Sequence, residues 1–140
     1  ELMLNGQHFF QHGVLYQAYW PESLIAAPGH VALLDEVRRI KESGFNMIRV
    51  HAAVMPALFY HLCDQVGLLV WQDFPAGDQR ALPIWDAARH AAESAAGGGV
   101  YLDEITRTEE SQVAFWTELQ AMVRWLSAFT CVVCWIPFNE

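Results

Sequence analysis

The chain has 140 residues, 54% of them hydrophobic and 13% aromatic, with six Trp and eight Phe but only 17% charged residues and a net charge of −8. This composition supplies one large core and excludes a disordered or fibrous chain, while eight Lys plus Arg, adjacent only at Arg38-Arg39, exclude a phosphate-binding nucleic-acid surface. No apolar run of about 18 residues reads as a membrane span, so no membrane partner is expected.

The opening segment, residues 1–12, reads as a hairpin: Asn5-Gly6 lies between Leu2-Met3-Leu4 and Phe9-Phe10, and both turn positions of such a hairpin need positive φ. Gly13 to Trp20 follows as a first parallel strand, stopped by Pro21. From Ala26 to Gly44, Val31, Leu34, Val37 and Ile40 recur every three residues among charged ones, predicting an amphipathic helix. Phe45 to His51 is a second strand with polar residues at its exit. Pro56 to Val66 is a second helix, with Pro at its start, Gly67 after its end and Leu58, Phe59, Leu62, Cys63 and Val66 on one face. Leu68 to Trp71 is a third strand, released into Gln72-Asp73.

Residues 76–108 break the rhythm with Gly97-Gly98-Gly99, Pro83, Trp85 and an Ala-rich stretch from Ala87 to Ala96 that reads as a short helix; a connection this long is usually functional. A third amphipathic pattern then runs from Glu109 to Leu126 through Val113, Trp116, Leu119, Met122 and Val123. The fourth strand, Cys131 to Phe138, delivers Asn139-Glu140. Cys131 and Cys134 face opposite ways in an extended strand, roughly 10 Å apart, which excludes a shared metal or disulfide and makes them, with Cys63, expected core residues.

Strand and helix in this alternation predict an α/β chain with βαβ units and a parallel sheet, either an open doubly wound sheet or half of an eight-stranded barrel. No Gly-rich phosphate loop follows the first strand, whereas polar residues gather at the later strand exits: Arg49 and His51, Gln72 and Asp73, Asn139 and Glu140. That distribution favours the barrel, whose active sites lie at the carboxyl ends of the strands. A full barrel needs about 250 residues, so residues 13–140 are expected to be strands one to four of a (β/α)8 TIM barrel preceded by the hairpin, with 76–108 as a loop insertion. Half a domain also accounts for the low charge, since part of its apolar surface is meant to be covered.

Six segments in order carry a family resemblance: Leu4-Asn5-Gly6; Gly13; Gly44-Phe45-Asn46-Met47-Ile48-Arg49; Cys63-Asp64-Gln65-Val66-Gly67; Leu69-Val70-Trp71-Gln72-Asp73; and Trp135-Ile136-Pro137-Phe138-Asn139-Glu140. Together they resemble the catalytic barrel of glycoside hydrolase family two, the β-galactosidases, β-glucuronidases and β-mannosidases. The resemblance implies a retaining β-glycosidase with Glu140 as acid/base, Asn139 against the sugar 2-hydroxyl, and the nucleophilic Glu at the end of a seventh strand outside this chain. It implies no cofactor and no metal, a carbohydrate substrate, and as partners the remaining half of the barrel and flanking β-sandwich domains.

Arg49 suits holding the nucleophile's carboxylate ionised, which leaves Glu140 as the group that must carry a proton; its other reading is an ion pair with Asp73. Asp73 touches sugar or braces the loop after its strand, and His51 contacts substrate or merely caps a strand. Trp20 and Tyr19, at the first strand's exit, suit stacking on a sugar ring, whereas Trp135 reads as core. The competing class is a carbohydrate-binding or interaction module that kept the barrel and lost catalysis.

Overall fold

The computed structural model describes residues 2–75 and 108–138. β1 (Met3–Leu4) and β2 (Gln7–His8) form the expected hairpin, turning through Asn5 at φ 51° and Gly6 at φ 78°. Then come β3 (Gly13–Tyr16), α1 (His30–Glu42), β4 (Met47–Val50), α2 (Ala57–Val66), β5 (Leu69–Asp73), α3 (Glu109–Leu126) and β6 (Val132–Ile136). β3, β4, β5 and β6 pair in that order, all parallel, in one four-stranded sheet. The α/β chain with a parallel sheet is therefore as expected. The predicted insertion, with its Ala-rich helix and Trp85, lies outside the described residues except for Thr108.

Each sheet face has its own character, because alternate residues of a strand point to opposite sides. Tyr16, Ile48, Val50, Val70 and Gln72 are buried toward the helices, where they meet Leu33, Val37, Phe59, Tyr60, Cys63 and Leu126. On the other face the register aligns Leu15, Arg49, Trp71 and Cys134 in one row across the sheet. Leu15 is 56% exposed there, and Arg49, Trp71 and Cys134 are half-buried. Gly13 sits where a Cβ would come within 2.6 Å of the Met47 carbonyl oxygen, so β3 packs this closely on β4 only because residue 13 has no side chain.

Several boundaries differ from expectation. β3 stops at Tyr16 and not Trp20, because Ala18 takes the left-handed φ of 57°, which ends an extended run. Trp20 instead bridges back to Leu24. α1 begins at His30, after Pro28 and an extended Gly29; proline disfavours helix for the residue before it. Its buried positions are Leu33 and Val37, four apart, whereas Val31 is 71% exposed. In α3 the side chain of Thr108 caps the helix by accepting from the Ser111 N–H at 3.2 Å, and Phe115, Met122 and Leu126 are buried while Val113 and Trp116 face outward. β5 continues through Gln72 to Asp73, and β6 bulges by one residue opposite Val70 and Trp71.

Two polar staples close the amino-terminal end of the sheet. Asn46 accepts from the His12 N–H at 2.8 Å and donates to the Phe10 carbonyl at 2.8 Å, tying the hairpin exit to β4. Asp64, in the last turn of α2, accepts from Thr130 Oγ1 at 3.0 Å and from the Cys131 N–H at 2.7 Å, fixing the start of β6.

Candidate active site

The carboxyl ends of β4 and β5 bring two of the sequence candidates together. Arg49 donates through Nε to Asp73 Oδ1 at 3.0 Å and through Nη2 to Asp73 Oδ2 at 2.9 Å, a two-pronged pair across adjacent strands. Asp73 is fully buried, whereas the Arg49 side chain is 34% exposed, so the guanidinium is held by a carboxylate that solvent does not reach. The Ala52 N–H also reaches Asp73 Oδ2, at 3.3 Å. Ala52 has a left-handed φ of 46°, an uncommon conformation for a residue bearing a Cβ.

Gln72, fully buried toward the helices, spends its amide on the same loop. Its Nε2 donates to the carbonyls of Ala53 and Asp73, both at 2.6 Å, and its Oε1 accepts from the Tyr60 hydroxyl at 2.7 Å. That hydroxyl in turn accepts from the Met55 N–H at 3.0 Å. Burial pushes the Tyr60 phenol's pKa upward, which keeps its proton in place for Gln72. The loop between β4 and α2 is thus gripped at residues 52, 53 and 55 by side chains of β5 and α2.

His51 leaves β4 beside these groups. Its N–H donates to the Tyr16 carbonyl at 2.9 Å, and its Nδ1 lies 3.0 Å from Gln17 Nε2, in position to accept from that amide. Below it, the Tyr16 hydroxyl donates to Glu36 of α1 at 2.5 Å. Burial first, then Glu36, raises the Tyr16 pKa; burial also raises that of Glu36 against the opposing pull of the Tyr16 hydrogen bond. Trp20, half-buried after β3, packs against the core, and its buried indole N–H meets no hydrogen-bond acceptor among the described residues. Tyr19 is exposed, and Trp135 packs against the core. Asn139 and Glu140 lie outside the described residues; β6 leads toward them from Ile136, which pairs with Asp73.

The cysteines belong to the scaffold. Burial and the neighbouring Asp64 push the Cys63 thiol up to about 12, and burial drives Cys131 higher still, so neither supplies a thiolate near neutral pH. Cys134 is half-buried on the open sheet face, and all three are free. Among the described residues no cluster of His, Cys, Asp and Glu has the arrangement of a metal site, and no helix is long and apolar enough to cross a membrane. Tyr60 escaped the sequence reading, although a Tyr beside the apolar face of a helix is a signal, since a buried hydroxyl ordinarily finds a partner.

No protein-family model matches the chain. The "Beta-galactosidase" of Pseudoalteromonas haloplanktis is 28% identical over 100 residues, which cover 63% of this chain and 9% of that protein. Among solved structures, Bacteroides uniformis β-glucuronidase 3 superposes with a TM-score of 0.68 at 20% identity, over 94% of this chain and 13% of its own. Parabacteroides merdae β-glucuronidase gives 0.70 at 18%, over 99% and 15%. The GH2 β-galacturonidase of Eisenbergiella tayi gives 0.62 at 21%, over 95% and 20%. The chain therefore spans a small part of each protein it matches. The four-stranded sheet and its helices have the fold found in family-two glycoside hydrolases, and the resemblance read from the sequence agrees with a β-galactosidase homologue.

Proposed function

We propose, from a chain with a β-galactosidase homologue and the fold of family-two glycoside hydrolases, that residues 1–140 are the opening part of the (β/α)8 barrel of a retaining β-glycosidase. In this reading residues 1–12 are the leading hairpin, 13–140 carry strands one to four, and 76–108 are a loop insertion. The other half of the barrel covers the row Leu15, Arg49, Trp71 and Cys134, and β-sandwich domains flank it. The observation that carries the reading is the Arg49–Asp73 pair: a guanidinium held by a buried carboxylate at the carboxyl ends of neighbouring parallel strands, where barrels build their sites.

The chemistry assigned to these residues is double displacement on a β-linked neutral sugar. Retaining enzymes set two carboxyls roughly 5–5.5 Å apart, one to donate a proton and then activate water, the other to attack the anomeric carbon. Glu140 takes the first role, and a Glu from a later strand takes the second. Arg49 faces that second carboxylate and keeps it ionised, while Asp73 fixes the Arg49 rotamer from below. Asn139 binds the sugar 2-hydroxyl, with His51 and Trp20 as further sugar contacts.

Stereochemistry tests the proposal. The full-length protein is given a panel of aryl β-glycosides, and the first-formed sugar is followed by proton NMR before it mutarotates. Release of the β-anomer supports double displacement; release of the α-anomer refutes it, as does the absence of hydrolysis across galactosides, mannosides, glucosides and uronides.

A further inference from the structure

The loop after β4, residues 51–56, is held more tightly than a surface connection needs. Ala52 occupies a left-handed conformation at φ 46°, and a residue with a Cβ stays there only where its surroundings over-determine it. Three polar contacts from β5 and α2 do so. Asp73 Oδ2 takes the Ala52 N–H, Gln72 Nε2 takes the Ala53 carbonyl, and the Tyr60 hydroxyl takes the Met55 N–H while donating to Gln72 Oε1. Tyr60 and Gln72 are both fully buried, so each of these groups would be unpaired without its partner and no water replaces it readily. Packing alone would be served by apolar residues at both positions. Ala52, itself gripped through its N–H, and Val54, between the gripped residues 53 and 55, are exposed on the same loop that begins with His51.

We infer that Tyr60 and Gln72 are positioning residues: a buried clamp that fixes the backbone of residues 51–55 so that the loop and His51 meet the sugar preformed. This rests on the glycosidase reading for its substrate. A clamp acting through a substrate-binding loop contributes equally to ground-state and transition-state binding, and its loss raises KM while kcat stays nearly unchanged. Loss of a merely structural hydrogen bond lowers thermal stability and moves neither constant at temperatures where the protein is folded.

The experiment compares the full-length wild type with Tyr60→Phe, which removes one hydroxyl oxygen, and with Gln72→Asn, which withdraws the amide by one methylene. Asp64→Ala is the control, since Asp64 staples the opposite end of the sheet. Hydrogen exchange of the amides of residues 51–55 is read together with KM and kcat, well below the melting midpoint. In Tyr60→Phe, or in Gln72→Asn should Tyr60→Phe not fold, those amides exchange about tenfold faster and KM rises about five- to tenfold with kcat within about twofold. Asp64→Ala melts lower but keeps the wild-type exchange in 51–55 and the wild-type KM. Wild-type exchange in the loop, an unmoved KM, or an equal KM rise in Asp64→Ala overturns the clamp. A wild type that hydrolyses no glycoside refutes the glycosidase reading instead, and the exchange comparison then decides the clamp alone.

Discussion

Asp73 gives both carboxylate oxygens to Arg49 on the neighbouring strand, at 3.0 and 2.9 Å, and does so from complete burial. A charge in that position depends on its partner: removing one member of a buried pair leaves the other uncompensated, at a cost of about 3–5 kcal/mol, less where one partner is partly solvated as Arg49 is. Asp73→Ala is therefore expected to cost about 2–4 kcal/mol in urea unfolding. Arg49→Lys keeps the charge but loses the fork and should cost less, about 1–2 kcal/mol. Equal small losses for both variants, under about 0.5 kcal/mol, would show that the pair holds nothing.

Burial separates two residues that the hydrophobic pattern treats alike. Phe59 is fully enclosed, stacking on Tyr16 at 5.1 Å and meeting Tyr60 edge-on at 5.4 Å, and Phe59→Ala should cost about 3–5 kcal/mol. Val31, on the outer side of α1, should tolerate Val31→Ala within about 0.5 kcal/mol. Thermal or urea midpoints of the two variants check this, and a large loss at Val31 would contradict the face assigned to α1.

Much of this architecture is legible in the sequence because its signals are local. Pro56 and Gly67 bracket α2, Asn5-Gly6 makes the hairpin, and the apolar strands appear within a few residues of their predicted places. What is not legible depends on geometry beyond neighbours. A repeat of three falls behind the helix by about 60° at each step, which carries Val31 away from the face that Leu33 and Val37 share four residues apart. Ala18 and Ala52 take left-handed conformations that no propensity of alanine indicates. The polar residues at the exits of β4 and β5 come together as the Arg49–Asp73 pair, one of the two readings the sequence offered for Arg49, but the Tyr60–Gln72 contact joins a helix to a strand and emerges only when α2 lies on the sheet.

Glu36 gives stability a pH dependence. Its folded pKa lies above the ordinary 4.5, chiefly because burial disfavours the carboxylate, so the folded protein holds a proton that the unfolded chain has already released. Its contribution is fully present below the unfolded pKa and is lost as pH rises through the folded one. Glu36→Gln cannot titrate there. The wild-type stability minus that of Glu36→Gln should fall as pH rises from the ordinary value through the raised one and then level off, as read from urea midpoints at stepped pH. A difference that is flat or rises across that window contradicts the assignment.

The most direct test of the central claim is made on Glu140 in the full-length protein. If Glu140 is the acid/base, Glu140→Gln should lower turnover of an alkyl β-glycoside by about 10²–10⁴, because its leaving group needs a proton. A 2,4-dinitrophenyl β-glycoside departs without one, so its glycosylation step should be largely spared and the covalent intermediate should accumulate. Azide, which needs no deprotonation, should then restore turnover and yield a β-glycosyl azide. Equal loss on both substrates, with no rescue by azide on either, would show that Glu140 does not carry the proton and that the catalytic reading of this chain is wrong.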